Sequence, residues 1–240
     1  MDKIVKLDAL AIAAHPDDVE ISCGGLLIKL ARNHKAVGVI DCTHGENGTL
    51  GSAEKRAQEL LAAAQVMGLA YRGNLDLPDS GVENTIENSR KLASKIRLLR
   101  PELVILPHWE QRHPDHAAVS RLGYDACYFA GLKKLPLEGE PFRPRKIIYA
   151  SYDIHNPSFL VDISTYFEDK CKAVACYGSQ FGNMNMAQQV FPLKQGDVYT
   201  WMAIHAASLG DRVDVDYAES YTIKEDILIE DPLLMRVQSI

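Results

Sequence analysis

Apolar runs alternate with amphipathic stretches along the first hundred residues of the chain. Runs rich in small and branched side chains predict buried strands at residues 7–14, 36–42 and 103–106, with a further apolar segment around Leu75 and Leu77. Apolar side chains at helical spacing predict helices at residues 19–32, 53–67 and about 87–99, the last two closed by Gly68 and Pro101. This alternation predicts βαβ units and a mostly parallel sheet covered on both faces, a Rossmann-like three-layer α/β sandwich.

The composition changes after Gly131. Residues 135–145 contain three prolines and predict a loop. Beyond this loop the pattern predicts strands at residues 146–151 and 159–163 and a helix at residues 165–176. We expect a single domain over residues 1–240, in which the part from about residue 132 onward completes the binding site and makes contacts between subunits.

Two short segments carry most of the candidate chemistry. Ala14-His15-Pro16-Asp17-Asp18 follows the first predicted strand, and His113-Pro114-Asp115-His116 follows the strand at residues 103–106 by a short loop. In parallel sheets, ligands bind outside the carboxyl ends of the strands. We therefore expect the two segments, about a hundred residues apart in the chain, to meet at one edge of the sheet.

These residue types indicate a metal site. His15 and Asp18 are three residues apart, a spacing that can bring both side chains to one face of a first helical turn. His116 would complete a set of two imidazoles and one carboxylate, which leaves coordination positions open for water and a substrate oxygen. Zinc fits this set, and so does ferrous iron.

The remaining polar residues of the two segments supply groups for proton transfer. Asp17, beside a ligand, could take a proton from water as a general base. His113 could act as a general acid or stabilise a developing oxyanion. Asp115 would orient one of the imidazoles by a hydrogen bond to the ring nitrogen that does not bind the metal. A metal hydrolase is the favoured interpretation, while a metal phosphoesterase and a non-catalytic Rossmann-like module with capped helices are the alternatives.

Charge and composition limit the kinds of binding partner that we expect. The formal net charge of −6 and the sequence pI near 5.8 argue against nucleic acid as a partner. The amino terminus lacks the order of a signal peptide, and the sequence has no apolar run of membrane-spanning length, so we expect no membrane association. Five cysteines without a CxxC pair indicate reduced thiols of a cytoplasmic protein.

At these two segments the sequence resembles the LmbE-like, PIG-L-type family of zinc-dependent N-acetylglucosaminyl deacetylases. The resemblance implies His15, Asp18 and His116 as zinc ligands, Asp17 as the general base, and His113 as the residue that steadies or protonates the tetrahedral intermediate. It is close over about residues 7–130. It extends to Thr43-His44-Gly45-Glu46-Asn47-Gly48-Thr49 with Arg56 and Glu59, and to Leu77-Pro78-Asp79-Ser80-Gly81.

Three later segments, residues 157–163, 176–181 and 217–221, are similar to the bacillithiol-pathway branch of this family. That branch removes acetyl from N-acetylglucosaminyl-malate, is cytoplasmic, and commonly forms homo-oligomers, hexamers among them. Glu46 and Arg56 would then bind the substrate, with Arg56 on a malate carboxylate. Other members act on mycothiol-type precursors or chitooligosaccharides, which are the alternative substrates.

Overall fold

Seven strands form one sheet in the computed structural model, which describes residues 5–48, 50, 52–150, 152, 156–182 and 197–237. The strands are β1 (Ala9–Ala13), β2 (Val37–Asp41), β3 (Tyr71–Asn74), β4 (Leu103–Pro107), β5 (Lys146–Ala150), β6 (Phe159–Asp162) and β7 (Ala218–Thr222). Their order is β3-β2-β1-β4-β5-β7-β6. The first five run parallel, whereas β7 is antiparallel to both β5 and β6.

Helices cover both faces of this sheet. They are α1 (Asp18–Ser22), α2 (Gly24–Arg32), α3 (Ala53–Met67), α4 (Ile86–Leu99), α5 (Pro114–Ala130), α6 (Phe167–Ala175), α7 (Gly178–Phe181) and α8 (Val198–Gly210). Buried side chains of α4 and α5 pack with Leu10 of β1 on one face. Those of α2, α3 and α6 pack with Ala11 on the other. The predicted three-layer α/β sandwich is confirmed.

A third apolar cluster joins the last part of the chain to the first. It packs Ile21 of α1 and Ala63 of α3 against Phe167, Phe181 and Met202. Helices α6, α7 and α8 therefore lie beside the elements that follow β1 and β2. None of the helices in the described ranges has the length and apolarity needed to cross a membrane.

The helix predicted at residues 19–32 is in fact two helices. The chain breaks at Cys23, whose φ of −143° is not helical, between α1 and α2. Glu219 of β7 accepts hydrogen bonds from the amides of Gly25 and Leu26, both at 2.8 Å. This buried carboxylate caps a new helix N-terminus. Glu219 is nearly two hundred residues away in the sequence, so the residues around Cys23 do not by themselves indicate that the helix breaks there.

Two other boundaries differ from the sequence pattern. The third strand is β3, which pairs with β2 from Gly38↔Tyr71 to Asp41↔Asn74. Leu75 and Leu77 lie in the loop after it, where both are buried, so their apolar character reflects core packing outside the ladder. The helix predicted at residues 165–176 begins as a 3-10 turn, Ser164–Tyr166, before α6.

Candidate metal and catalytic site

Loops that follow three strands of the sheet meet at one edge. His15 and Asp18 follow β1, His113 and His116 follow β4, and Asp79 lies beyond β3. The chain runs outward from β1 to β2 and β3, then returns to place β4 on the other side of β1. A crevice at such a reversal of strand order is the usual ligand site of open α/β sheets.

The carboxylate of Asp18 lies between two imidazoles. Its Oδ2 is 3.4 Å from Nδ1 of His15, and its Oδ1 is 3.2 Å from Nε2 of His116. The ligand atoms of the three residues all lie within 4.8 Å of one another. Ligands bound tetrahedrally to zinc at about 2.0–2.1 Å are about 3.3 Å apart. The spacing and chemistry of this donor set fit a divalent metal ion.

Electrostatics ties the three groups together. Burial alone would lower the pKa of His15, but the hydrogen bond and charge of Asp18, with Asp79 and Asp17, raise it to about 9. Burial also opposes ionisation of Asp18, but His116 and His15 hold the pKa of its carboxyl well below the ordinary range. The site therefore concentrates negative charge that imidazolium protons neutralise, and a cation can replace those protons.

Two further carboxylates lie behind His15. Its Nε2 is 3.2 Å from Oδ1 of Asp79 and 3.3 Å from Oδ2 of Asp115. Asp115 is held in turn by the amides of Ser80 and Val82, at 2.8 and 3.3 Å. A proton on Nε2 leaves Nδ1 for a metal, so these acids can set both the tautomer and the ring orientation. Asp79 belongs to the Leu77-Pro78-Asp79-Ser80-Gly81 segment, from which the sequence predicted no role for this carboxylate.

Asp17 is held in a strained conformation beside a buried arginine. Its φ is 104°, in the left-handed region that non-glycine residues seldom occupy. Its Oδ2 accepts a hydrogen bond from Nη2 of Arg56 at 3.0 Å. Burial raises the pKa of Asp17 to about 7, against the lowering effect of the Arg56 charge and with further raising by Asp18 and Glu20. A carboxyl in this range can exchange protons at neutral pH.

Arg56 is more enclosed than a surface substrate ligand would be. Besides Asp17, it donates to the carbonyl oxygens of Gly45 at 2.8 Å and Pro16 at 3.3 Å. Gly45 has a φ of 66°, and a Cβ there would collide with Nη1 of Arg56. The Nε of Arg56 is buried without a hydrogen-bond partner in the described part of the chain. Its role in substrate binding stays a prediction, and its observed role is to hold Asp17 and the loop at Gly45.

His113 caps the helix that carries His116. Its Nδ1 accepts a hydrogen bond from the amide of Asp115 at 3.2 Å, at the start of α5. Burial, and the nearby imidazoles of His15 and His116, lower the pKa of His113. A neutral ring with Nδ1 accepting carries its proton on Nε2. His113 can thus donate a hydrogen bond into the site, as an acid or an oxyanion donor must.

Glu46 faces a neighbouring loop. Its Oε1 accepts from the amide of Asp79 at 2.9 Å and its Oε2 from the amide of His44 at 3.2 Å. Asn47 completes this link by donating from its amide to Oδ2 of Asp79 at 2.8 Å. Glu46 is not among the described residues that line the cavity, whereas Asn47 is. Direct contact between Glu46 and a substrate stays a prediction.

A cavity of about 460 Å³ opens over the site. It is lined by His15, Asp17, Asp18, His113 and His116 at one end. The last third of the chain adds Tyr152, Gln180, Phe181 and Trp201, and the loop before α5 adds Arg112. The rings of Tyr152 and Trp201 meet edge to face with centroids 5.3 Å apart. Gln180 and Phe181 belong to the segment that begins at Cys176 and was noted for its resemblance, whereas no sequence pattern pointed to Arg112, Tyr152 or Trp201.

Two further ring side chains of the later part of the chain, Tyr177 and His205, are not among the described residues that line this cavity. Tyr177 is buried and donates from its hydroxyl to Glu20 at 2.9 Å. His205 stacks on Trp201 with ring centroids 5.6 Å apart. Thr49, Gly51 and His155 are outside the described residues. The five cysteines are all free, and three of them are buried.

The chain has close similarity to named deacetylases. It is 32% identical over 187 residues to the diacetylchitobiose deacetylase of Thermococcus kodakarensis, covering 72% of this chain and 69% of that protein. It is 29% identical over 174 residues to the 1D-myo-inositol 2-acetamido-2-deoxy-alpha-D-glucopyranoside deacetylase of Rhodococcus erythropolis, covering 58% of this chain and 59% of that protein.

Structural similarity covers nearly the whole chain. A crystal structure of a conserved protein from Thermus thermophilus matches with a TM-score of 0.84 and 39% identity, over 93% of this chain and 97% of that one. Residues 10–127, which contain His15, Asp18 and His116, match the family described as PIG-L, GlcNAc-PI de-N-acetylase. The chain therefore belongs to the PIG-L family of de-N-acetylases.

Proposed function

We propose that this protein is a metal-dependent hydrolase that removes the N-acetyl group from an N-acetylglucosaminyl conjugate. The observation that carries the proposal is the placement of Asp17, with its pKa near neutrality, beside the His15, Asp18 and His116 donor set in one cavity. Relatives that deacetylate 2-acetamido sugars support the same reaction class.

His15, Asp18 and His116 would hold the metal, for which zinc is the best candidate. When bound, such an ion polarises a carbonyl group and lowers the pKa of water. Asp17 accepts a proton from the water that attacks the acetyl carbon. Arg56 keeps the Asp17 carboxylate in place through this step. His113 donates a hydrogen bond from Nε2 to the developing oxyanion. The proton that Asp17 took from water passes to the amine nitrogen, the C–N bond breaks, and the free amine and acetate leave.

The aglycone we propose is anionic, and malate is the specific candidate. Arg112 supports this choice because it is exposed and lines the cavity next to His113. A guanidinium can bind a carboxylate through two parallel hydrogen bonds. Arg56 is a weaker candidate for this task, since two of its nitrogens already bind Asp17 and backbone carbonyls.

A chitooligosaccharide is the second candidate. The aromatic wall of Tyr152, Phe181 and Trp201 supports it, because the apolar face of a second sugar ring packs well on aromatic rings. The Thermococcus relative is named for a substrate of this kind.

The test is amine release from N-acetylglucosaminyl-malate, diacetylchitobiose and free N-acetylglucosamine by the purified protein. We expect release that stops on chelation, returns with zinc, and is fastest with the malate conjugate. Preference for diacetylchitobiose would keep the reaction and replace the aglycone. Failure with all three, alongside hydrolysis of a phosphate ester by the metal-loaded protein, would replace the deacetylase with a phosphoesterase.

A further inference from the structure

The C-terminal segment, residues 225–237, leaves its apolar side chains in solvent. Every residue of the segment is exposed, and Leu228, Leu233 and Leu234 are 87%, 90% and 80% exposed. The backbone is nevertheless organised, because Pro232–Leu234 forms a 3-10 turn capped by Asp231, which accepts from the amide of Leu233 at 2.9 Å. Contiguous apolar side chains displayed on an ordered backbone are typical of a surface that binds another surface.

The same side of the molecule carries an open groove of about 580 Å³. Tyr124 and Tyr128 of α5, with Phe159 of β6, form part of its apolar wall. Arg143 and Arg145 add positive charge, and the Arg143 guanidinium lies 4.7 Å from the centre of the Tyr128 ring. The described lining also includes Lys146 and the carboxylates of Glu225 and Asp226, so its three cations exceed its two anions. This excess of positive charge suits a ligand that is apolar and acidic.

The C-terminal segment has this composition. Glu230 and Asp231 stand between its two apolar runs, residues 227–229 and 233–235. Only the root of the segment, residues 225–227, lines the groove of its own chain. From Leu228 onward the described residues are not among those that line it. Residues 225–227 thus contact the groove of their own chain, whereas the described apolar residues from Leu228 onward lie outside that groove.

We propose that residues 228–237 dock into the groove of a second copy of this chain, so that two copies exchange their C-terminal segments. A two-fold axis close to the root would bring both grooves and both segments together in one self-complementary interface. Charge supports this occupant: the acidic centre of each segment would face Arg143 and Arg145 of the other copy. The inference is independent of the reaction proposed above.

The first test is the oligomeric state of the full-length protein by sedimentation velocity over a range of concentrations. We expect the wild-type chain to form dimers, alone or within a larger assembly. A segment variant, L233D/L234D, should raise the dissociation constant at least tenfold. The matched control is Leu61→Asp on α3, which alters a side chain that is 60% exposed on the opposite face of the sheet and should leave assembly unchanged.

The second test is complementation between two variants. A groove variant, Y128E/R145E, should lose the dimer, as the segment variant does. Mixed together, the two should form a heterodimer, because the intact groove of one can take the intact segment of the other. A monomeric wild type, or assembly that survives both variants, would overturn the proposal. So would variants that melt earlier with assembly unchanged, since that result places the segment on its own chain.

Discussion

The Nη2 of Arg56 lies 3.0 Å from Oδ2 of Asp17, so the candidate base shares a buried ion pair with an arginine from α3. Two opposed influences meet at this carboxyl. Burial raises the pKa of Asp17, and the Arg56 charge lowers it, with a net result of about 7. The candidate base is thus available at neutral pH, and its availability depends on a residue outside the candidate ligands His15, Asp18 and His116.

Replacing Asp17 by asparagine should abolish most turnover and leave metal binding intact. Asparagine tolerates the left-handed backbone that Asp17 adopts, so the loop should keep its shape. Loss of a general base costs about 10²–10⁴-fold in rate. The measurement is kcat for amine release together with metal content by mass spectrometry. Normal turnover in Asp17→Asn would remove Asp17 from the mechanism.

Replacing Arg56 by glutamine should move the acidic limb of the pH profile of kcat/KM upward. Without the Arg56 charge the pKa of Asp17 rises further above 7, so a higher pH is needed to ionise it. An adjacent opposite charge is worth about 1–3 pKa units. Arg56→Lys keeps the charge and should recover part of the shift. An unmoved limb with a raised KM would instead make Arg56 a substrate ligand.

Metal uptake by the metal-free protein should release protons near pH 7.5. The pKa of His15, about 9, means that its ring is protonated at that pH, and a ligand imidazole must be neutral. The pKa of His116 is also raised, by Asp18 against the effect of burial. Titration calorimetry in buffers of different ionisation enthalpy should report release of about one proton or more. An absence of buffer dependence at pH 7.5 would contradict this charge state of His15.

Replacing Glu219 by glutamine should destabilise the fold. Glu219 pairs with Nζ of Lys170 at 2.6 Å, caps α2 and accepts from the hydroxyl of Tyr221. Breaking a buried ion pair on one side costs about 3–5 kcal/mol in the free energy of unfolding. Urea denaturation measures it. The double variant K170M/E219Q should recover part of the loss, and Glu168→Gln, which breaks an exposed pair with Lys172, should change little.

Replacing Arg112 by glutamine should act on substrate choice. If the aglycone is anionic, kcat/KM for N-acetylglucosaminyl-malate should fall at least tenfold, and that for free N-acetylglucosamine should stay the same. Arg112 is exposed, so the variant should fold normally. Equal losses on both substrates would show that Arg112 serves the reaction itself, and no loss on either would leave the anionic aglycone without support.

The sequence could predict that His15, Asp18 and His116 come together because each half of this candidate metal set is local. His15 and Asp18 are three residues apart, and His116 follows a strand whose apolar character is plain. The helix α3 was predicted with its observed bounds, since its apolar spacing is regular and Gly68, which ends it in the left-handed conformation, is recognisable by residue type alone.

The parts that escaped prediction depend on contacts between distant segments. Strand β7 has a polar centre, Glu219-Ser220, that is buried because Glu219 serves α2. Arg56 was expected to face solvent or substrate, and only the folded loop at Gly45 brings it onto Asp17. Asp79 contacts His15 from an irregular loop. The spacing of apolar residues predicts helices and strands but not the course of such a loop. A charged residue whose partner lies in a distant segment is not marked by the residues next to it in the sequence.

The cavity is assembled from two stretches of chain that can change independently of each other during evolution. Its reactive end lies within residues 10–127, whereas Tyr152, Phe181 and Trp201 come from beyond that span. Mutations that reshape this aromatic wall need not disturb Asp17 and His113, the candidate groups for proton transfer, so new acetamido sugars could become substrates while those groups stay in place. An engineer could use the same partition, grafting the later wall of one enzyme onto the earlier half of another to retarget deacetylation.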